Sequence, residues 1–340
     1  MSSAVSQEEP NPQLVWDTIN AYQRTSALRA AIELDLFTAI GSEDVTAEQL
    51  ANKCAASARG MRILCDYLTV LGFLRKRAGA YCLTPTSSVF LDRRSPGCMG
   101  SMVQFMNSPK LMSGFSDMTD TVRRGCTTLG HGGVNEPELN EWVLFAQSMM
   151  PLMKPATDFL AEEAIRGNKP LHRVLDIAAG HGLFGIAVAQ RASGAEIVAQ
   201  DWPNVLNVAE GNASSAGISH RYRLLAGDAF TTPFGDGYDL VLLTNFLHHF
   251  DEQSCVTLLK KISACLNHGG RLLTLEFIPN EDRITPPIPA TFSMMMLGLT
   301  PSGDAHTRKQ YEWMLSEAGF AQNEMRQVPQ SPQQLLVSTK

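Results

Sequence analysis

The chain has 340 residues, 44% of them hydrophobic and 18% charged, which is typical of a globular protein long enough for two domains. The formal net charge of -6, with no basic run, argues against a general nucleic-acid binder, because phosphate contacts need a positive surface. We find no signal peptide and no apolar stretch of about 18 residues, and therefore expect a cytoplasmic protein that does not contact membranes.

The first third of the chain predicts a small, mainly helical domain at 14–105, after a flexible tail at 1–13. Residues 14–40 carry apolar side chains at mainly helical spacing and predict a helix with a wide apolar face. Thr46 begins a capping-box pattern, and Ser57 opens a helix that ends near Gly72. A charged turn between short apolar segments then predicts a β-wing, so the outline is that of a winged helix.

Such a domain could bind DNA through Arg59 and Arg62, or it could be a packing and dimerisation module. The acidic chain and the very apolar first helix favour dimerisation. Residues 106–160 predict a helical linker with a loop at 125–133 and helical spacing over 138–153. The stripe of Trp142, Phe145 and Met149 in that helix fits either a core or the wall of a substrate pocket.

From 161 to 340 the pattern alternates between strands and helices and predicts a parallel sheet covered on both faces. The predicted strands are 173–178, 196–200, 222–226, 239–244, 271–276 and 334–338, and the predicted helices are 183–192, 204–215, 252–266 and 307–318. Ligands in this architecture bind at the carboxyl ends of the strands. Polar residues at those ends are therefore the first candidates for a site.

A glycine turn follows the first of these strands, in the order Asp176, Gly180, His181, Gly182. Glycines let the backbone reach positive φ and let a ligand approach the main chain closely. The spacing differs from the dinucleotide fingerprint, because a carboxylate before the glycines would repel a pyrophosphate and attract a cationic ligand. The turn therefore favours an S-adenosylmethionine site, although a plain strand-to-helix connection has the same local pattern.

Acidic residues also follow the next two strands. Asp201 stands about 20 residues after the glycine turn, where a carboxylate can accept hydrogen bonds from both ribose hydroxyls. Asp228 lies in Gly-Asp-Ala-Phe, where it could accept from an adenine amino group while Phe230 packs on the ring. Either acid could instead be a cap or turn residue. Three such positions at three successive strand ends favour a nucleoside site.

Two adjacent histidines, His248 and His249, follow the fourth strand, and Glu276 ends the fifth. A histidine beside a cofactor can act as a general base, and a carboxylate can hold its useful tautomer. We expect no metal here, because adjacent residues rarely point at one ion and no ligand cluster accompanies them. The seven cysteines form no Cys-x-x-Cys pair, and most of them are expected to be small core residues.

Together these stretches resemble the class I methyltransferases that use S-adenosylmethionine, and within them the two-domain small-molecule O-methyltransferases, which include plant caffeate O-methyltransferase and bacterial natural-product enzymes. Asp201-Trp202-Pro203 matches the family's Asp-hydrophobic-Pro signature, and Gly227 to Phe230 matches its Gly-Asp-x-Phe signature. His248-His249-Phe250 is similar to its His-Asp-Trp stretch, and Glu276 falls on its first supporting glutamate.

The resemblance implies a Rossmann-like catalytic domain with a mostly parallel seven-stranded sheet, preceded by a winged-helix dimerisation domain that makes a homodimer. It implies methylation of a hydroxyl on a small aromatic or polycyclic metabolite of secondary metabolism, with His248 as base, Glu276 as its support, and S-adenosylhomocysteine as product. The implied cofactor contacts are Asp176, Gly180, Gly182, Asp201, Trp202, Gly227, Asp228, Ala229, Phe230, Thr244 and Asn245, and the implied substrate pocket is Phe145, Met149, Phe246, His249, Phe292 and Met295.

Two positions depart from the family pattern. The second supporting glutamate falls on Ala305, and the lysine of the plant enzymes after the fourth strand falls on Thr244. A catalytic dyad is therefore expected rather than a triad. Two alternatives stay open: transfer to nitrogen or carbon, or a non-methylating reaction, on the same fold; and a DNA-binding regulator that senses S-adenosylmethionine through the winged helix.

Overall fold

The computed structural model describes residues 10–130, 132–167 and 170–340. It divides into two compact units, Met1–Val103 and Gln104–Lys340. Most of the predicted tail at 1–13 lies outside the described residues. Within the described ranges no helix is long and apolar enough to cross a membrane, and no group of three or more His, Cys, Asp and Glu side chains is placed to hold a metal ion.

The first unit combines short helices with a small antiparallel sheet. Its helices are α1 (Gln13–Ile19), α2 (Ala21–Glu33), α3 (Leu36–Ile40), α4 (Ala47–Lys53), α5 (Ala58–Val70) and α6 (Pro85–Phe90). Its strands β1 (Val45–Thr46), β2 (Leu74–Arg77) and β3 (Ala80–Leu83) pair in the order β1-β3-β2. The expected two helices and hairpin are therefore present as α4, α5, β2 and β3. Helix α7 (Met102–Met106) crosses the boundary between the units.

The single helix expected over 14–40 is wrong, because the chain forms three helices there. Asp35 adopts the left-handed conformation, with φ 54°, and ends the run of α2. The turn redirects α3 so that Leu36 and Phe37 enter the core of this unit. Helix α1 buries none of its residues. The expected capping box at Thr46 is confirmed, since its hydroxyl and the Gln49 side chain bond each other's backbone N–H groups.

The second unit begins with helices that lead to the sheet: α8 (Pro109–Ser113), α9 (Met118–Arg124), α10 (Asn140–Ser148) and α11 (Met150–Ala164). The helix expected over 138–153 is interrupted at Met149, which ends α10 and precedes α11. Pro151 stands in the first turn of α11, where its missing N–H costs no helical hydrogen bond. The break turns α11 onto the sheet, where Leu160 and Ala161 are fully buried.

Seven strands form the sheet of this unit, in the order β6-β5-β4-β7-β8-β10-β9. They are β4 (Arg173–Ile177), β5 (Glu196–Asp201), β6 (Tyr222–Ala226), β7 (Tyr238–Thr244), β8 (Leu266–Glu276), β9 (Gln322–Gln327) and β10 (Gln334–Thr339). The remaining helices are α12 (Leu183–Arg191), α13 (Pro203–Ser215), α14 (Glu252–Cys265), α15 (Pro287–Leu299) and α16 (Arg308–Glu317). Strands β4 to β8 pair in parallel, and β10 is antiparallel to both neighbours. The expected mostly parallel seven-stranded α/β domain is confirmed.

Both faces of the sheet are apolar and covered. Val174 packs on one side among residues of α11, α12 and α13, whereas the next residue, Leu175, packs on the other side among residues of α14 and α16. This alternation follows from the two-residue period of a strand. Because β4 to β8 run in parallel, their carboxyl ends lie at one edge of the sheet.

Candidate active site

A glycine turn or a polar residue stands at the carboxyl end of each of the five parallel strands. The glycine turn follows β4, Asp201 ends β5, Asp228 follows β6, Asn245 follows β7, and Glu276 ends β8. The shared direction of the strands brings these positions to the same edge of the sheet. This is the arrangement that the sequence predicts, and it marks the edge as the candidate active site.

The two glycines of the turn have different surroundings, although both have positive φ, 57° at Gly180 and 73° at Gly182. A Cβ on Gly180 would meet nothing closer than Phe145 Cε1, at 3.8 Å. A Cβ on Gly182 would lie 2.5 Å from Tyr222 Oη and 3.0 Å from Ala209 Cβ. Gly180 therefore leaves its main chain open to a ligand, whereas Gly182 is required for packing.

Asp176 lies beneath the turn and is fully buried. Its Oδ2 accepts the backbone N–H of Gly185 at 3.0 Å, in the first turn of α12, and its Oδ1 has no partner among the described residues. Burial raises the pKa of this carboxyl to about 8, helped by the nearby Asp201. Burial thus disfavours the charged form of this side chain, which supports the turn from below through the first turn of α12.

Asp201 joins the glycine turn to β5. Its Oδ2 accepts the backbone N–H of Gly180 at 2.8 Å, and its Oδ1 accepts that of Trp202 at 2.7 Å. Burial raises the pKa of this carboxyl to about 6, against the lowering effect of those two N–H donors. A carboxylate has about four lone-pair positions, so this side chain can accept two further hydrogen bonds from a ligand.

A lysine that the sequence pattern does not single out stabilises the loop after β6 by hydrogen bonds to its main chain. Lys261, in α14, donates from Nζ to the carbonyl oxygens of Ala229 at 2.8 Å, Phe230 at 3.0 Å and Thr232 at 2.6 Å. Asp228 Oδ1 in turn accepts the backbone N–H of Phe230 at 2.6 Å. Nothing in the sequence distinguishes this lysine from Lys260, its solvent-exposed neighbour.

His248 and Glu276 form a buried pair. His248 Nδ1 lies 2.5 Å from Glu276 Oε2, and the two residues are 3% and 0% exposed. Glu276 Oε1 accepts the backbone N–H groups of Phe246 at 2.9 Å and Leu247 at 2.8 Å. A carboxylate that already accepts two N–H bonds acts as the acceptor, so Nδ1 of His248 carries the hydrogen and Nε2 carries the free lone pair.

His249 is also buried, but its ring is held by the main chain. Its Nδ1 lies 3.1 Å from the carbonyl oxygen of Phe246. The carbonyl oxygen of His249 accepts a hydrogen bond from Asn135 Nδ2 at 2.9 Å. Burial, together with the neighbouring His248, lowers the pKa of this imidazole well below its ordinary value. His249 is therefore a neutral ring beside the ring of His248.

A series of aromatic contacts connects the glycine turn to the histidines. Phe145 stacks on His181 with ring centroids 6.4 Å apart and meets Trp142 edge to face at 6.0 Å. Trp142 meets His249 edge to face at 5.2 Å. On the other side, Phe292 of α15 meets His248 edge to face, at 4.8 Å. Phe105 and Phe277, which the sequence analysis does not single out, also make ring contacts here, with Phe145 and Phe292 respectively.

The remaining residues expected in the pocket are arranged unevenly. Met149 is 4% exposed and lies at the break between α10 and α11. Phe246 is partly buried and packs on Phe250 with centroids 5.1 Å apart. In the methionine run of α15, Met294 is 47% exposed and Met296 is buried, with Met295 between them partly buried. Within α15, Phe292 is the residue whose ring contacts the ring of His248.

The remaining positions expected to contact the cofactor border the same edge. Asn245 has φ 55°, and its Oδ1 accepts from the buried Gln333. Thr244 is only 5% exposed, Trp202 is partly buried, and Gly227 has φ 134°. Ala305, which stands at the position of the family's second glutamate, is fully buried, so this position supplies no carboxylate.

Comparison with known proteins agrees with this geometry. Residues 140–321 match the profile of an O-methyltransferase domain, and residues 16–93 match that of an O-methyltransferase dimerisation domain. The chain is 29% identical to a 3-hydroxy-5-methyl-1-naphthoate 3-O-methyltransferase of Streptomyces sahachiroi, over 92% of this chain and 90% of that protein.

Two solved structures are similar along nearly the whole chain. A Nostoc punctiforme protein described as a candidate O-methyltransferase is 47% identical, with a TM-score of 0.95 over 98% of this chain and 100% of that chain. Human N-acetylserotonin methyltransferase in complex with S-adenosylmethionine is 24% identical, with a TM-score of 0.82 over 100% of this chain and 99% of that chain.

Proposed function

The chain belongs to the family of S-adenosylmethionine-dependent O-methyltransferases that act on small molecules, and we propose that its acceptor is an aromatic hydroxyl whose proton is removed by His248. The observation that carries the proposal is the contact of 2.5 Å between His248 Nδ1 and Glu276 Oε2. It leaves Nε2 as the basic nitrogen at the edge of the sheet where the strands end.

His248 supplies the proton acceptor that the reaction needs. A phenol has a pKa near 10 and is a poor nucleophile at pH 7 until a base takes its proton. When the proton reaches Nε2, the imidazole becomes a cation with Glu276 on its other side. Glu276 stabilises that cation and keeps the ring in one orientation.

The strand ends fit the cofactor by their chemistry. When bound, S-adenosylmethionine supplies a methyl group on a positively charged sulfur, which is already a good leaving group. We assign the open main chain of Gly180 to its methionine part, Asp201 to its ribose hydroxyls, and Asp228 with Phe230 to its adenine. Trp202, Gly227, Ala229, Thr244 and Asn245 border these three contacts, and Asp176 and Gly182 hold the turn in shape.

An aromatic acceptor is supported by the rings that surround the histidines. Trp142, Phe145 and Phe292 are partly buried, and they lie in ring contact with His249, His181 and His248 respectively. Such side chains pack well against a flat ring through offset or edge-to-face contacts. The acceptors in the names of two similar proteins, a naphthoate and acetylserotonin, are aromatic compounds.

The first unit we assign to homodimer formation. The profile that matches residues 16–93 is that of a dimerisation domain, and α1 exposes an apolar surface that its own unit does not cover. Leu14, Trp16 and Ile19 are 75%, 67% and 67% exposed. An apolar patch of this kind typically marks a protein interface.

The test of the proposed function uses a panel of hydroxylated naphthalenes and indoles and measures the formation of S-adenosylhomocysteine. With a panel compound that is methylated, we expect His248→Gln to lower kcat by about 10²- to 10⁴-fold, the usual contribution of a general base. Binding of S-adenosylhomocysteine, measured by calorimetry, should stay unchanged.

His268→Gln is the matched control, because His268 is an exposed histidine near the start of β8, at the opposite end of that strand from Glu276. It should keep full turnover. Full turnover of His248→Gln would contradict the role as base, and methylation of none of the panel would contradict the aromatic acceptor.

A further inference from the structure

His249 offers a second nitrogen acceptor beside the base. A carbonyl oxygen can only accept a hydrogen bond, so the contact of 3.1 Å between His249 Nδ1 and Phe246 O places the hydrogen on Nδ1. In the neutral ring the other nitrogen, Nε2, is then an acceptor. The ring is neutral at pH 7, because burial and the neighbouring His248 lower its pKa well below the ordinary value.

This acceptor has no use within the part of the chain that the structure describes. None of the described residues donates a hydrogen bond to His249 Nε2. The atom nevertheless keeps some accessible surface, because it does not belong to the fully buried polar atoms that lack a partner among those residues. The residue as a whole is only 7% exposed. An acceptor that is nearly enclosed and still reachable is suited to a ligand that fills the site, because leaving it unpaired on ligand binding would be costly.

The ring is also held in place from three sides. Its centroid lies 4.3 Å from that of His248 and 5.2 Å from that of Trp142, which meets it edge to face. The main chain is fixed by Asn135 Nδ2, which donates to the carbonyl oxygen of His249 at 2.9 Å. An acceptor held this firmly can discriminate between ligands, since it cannot turn away when no donor is offered.

We propose that His249 is a specificity-determining residue whose Nε2 accepts a hydrogen bond from a second donor group on the substrate, next to the hydroxyl that is methylated. The two adjacent histidines then divide the work. His248 receives the proton of the reacting hydroxyl, whereas His249 receives a hydrogen bond from the neighbouring O–H or N–H without taking its proton.

The substrate class that follows is an aromatic ring with two neighbouring donors, such as an ortho-diphenol or an ortho-aminophenol. The residue after the base in the family's stretch is an aspartate, whereas this chain carries an imidazole there. With its hydrogen on Nδ1, the neutral ring accepts one hydrogen bond at Nε2 without carrying a charge. The proposal rests on the proposed function, since it presupposes an aromatic hydroxyl beside His248.

The experiment compares 2,3-dihydroxynaphthalene with 3-methoxy-2-naphthol, which keeps one hydroxyl on the same ring system but lacks the second donor. After correction for the two equivalent hydroxyls of the first probe, we expect its kcat/KM to be about tenfold higher, the size of one neutral hydrogen bond. Dissociation constants of both probes, measured by calorimetry on the enzyme loaded with S-adenosylhomocysteine, should show the same preference without any turnover.

Two variants separate the hydrogen bond from the shape of the pocket. His249→Phe keeps a ring but removes the acceptor, so the ratio of kcat/KM for the diol to kcat/KM for the methoxy compound should fall to about one. His249→Gln offers a side-chain oxygen and should keep part of the preference. Each variant is first checked for an unchanged melting temperature and for binding of S-adenosylhomocysteine.

A kcat/KM ratio of one in the wild-type enzyme would overturn the proposal, whatever the variants do. A ratio that stays at the wild-type value in His249→Phe would overturn it as well. If 3-methoxy-2-naphthol is methylated as fast as the diol in a reaction that still requires His248, the role of His249 fails and the proposed function stands. Binding of neither probe would count against both.

Discussion

His248 Nδ1 lies 2.5 Å from Glu276 Oε2, while Oε1 of the same carboxylate accepts the backbone N–H groups of Phe246 and Leu247. One fully buried side chain from the end of β8 therefore builds the turn after β7 and orients the proposed base on it. A single carboxylate can serve both tasks because its two oxygens point at different partners.

Glu276→Gln tests the orienting task. The amide oxygen of the introduced side chain would still accept the two backbone N–H groups, but its NH₂ would donate to His248 Nδ1 and move the imidazole hydrogen to Nε2. The base would be lost while the turn remains, and we expect kcat to fall by about 10²- to 10⁴-fold with little change in melting temperature. Steady-state kinetics on a methylated panel compound measure this. Glu317→Gln, at the exposed last position of α16, should have no effect.

Gly182→Ala tests the close packing under the glycine turn. The introduced alanine would need positive φ and would place its Cβ 2.5 Å from Tyr222 Oη, so we expect the free energy of unfolding to fall by about 1–3 kcal/mol or more. Denaturant unfolding measures this loss. Gly211→Ala is the matched control, because Gly211 lies inside α13 with no atom within 4 Å of the added Cβ. The free energy of unfolding of Gly211→Ala should rise by up to about 1 kcal/mol, because alanine favours a helix more than glycine does. Equal effects at the two glycines would contradict the argument.

Asp176→Asn tests whether the buried carboxyl is protonated in the folded protein. The folded pKa of about 8 lies above the unfolded value, so the native state binds a proton that the unfolded state has released. The wild-type free energy of unfolding should therefore fall, on this account, by up to about 1.4 kcal/mol per pH unit as the pH rises from about 5 to 7.5. Denaturant unfolding of the cofactor-free protein should show a shallower decline in Asp176→Asn. Parallel pH profiles would show that the carboxyl is ionised in both states.

Lys261→Met tests the support of the proposed adenine side. The variant loses three hydrogen bonds to the carbonyls of Ala229, Phe230 and Thr232, so the loop that carries Asp228 should become less ordered. We expect binding of S-adenosylhomocysteine to weaken by about tenfold, as measured by calorimetry. Lys260→Met, one residue earlier on the exposed side of α14, should leave the affinity unchanged. A tight complex in Lys261→Met would remove the loop from the proposed cofactor site.

Trp16→Glu tests the proposed homodimer. A charge in the exposed apolar surface of α1 would have to be buried in an interface, so we expect the protein to become monomeric in sedimentation velocity at micromolar concentration. Val70→Glu changes another exposed apolar residue of the same unit, 83% exposed at the end of α5, and should leave the dimer intact. A wild-type monomer would contradict the assignment directly.

Much of the architecture could be predicted because it rests on local patterns. The alternation of apolar strands and amphipathic helices predicts the ends of β4 to β7 and of α12, α13 and α14 to within one residue, whereas β8 begins five residues before its predicted start. Strand β9 is absent from the predicted strands. It lies at the edge of the sheet, and its sequence, Gln-Asn-Glu-Met-Arg-Gln, is almost entirely polar. An edge strand can be polar because half of its surroundings are solvent.

Helix breaks were harder to predict than helices. The apolar spacing over 14–40 continues through Asn20 and Asp35, yet the chain turns at both. Burial decides this outcome, because the turn at Asp35 places Leu36 and Phe37 in the core of the first unit. Spacing alone carries no information on which core a helix will meet.

By itself, the sequence determined which residues follow the parallel strands, because strand direction and the two-residue period bring Asp201, Asp228 and Glu276 to one edge of the sheet. Only the tertiary structure decided what surrounds each of them. It encloses Asp176 so that its charge is disfavoured, fills the space beside Gly182, and brings Lys261 to the back of the loop after β6. It also directs the hydrogen of His249 to a main-chain oxygen. Charge state and hydrogen-bond direction depend on neighbours distant in sequence or on the detailed path of the main chain, and no local pattern encodes either.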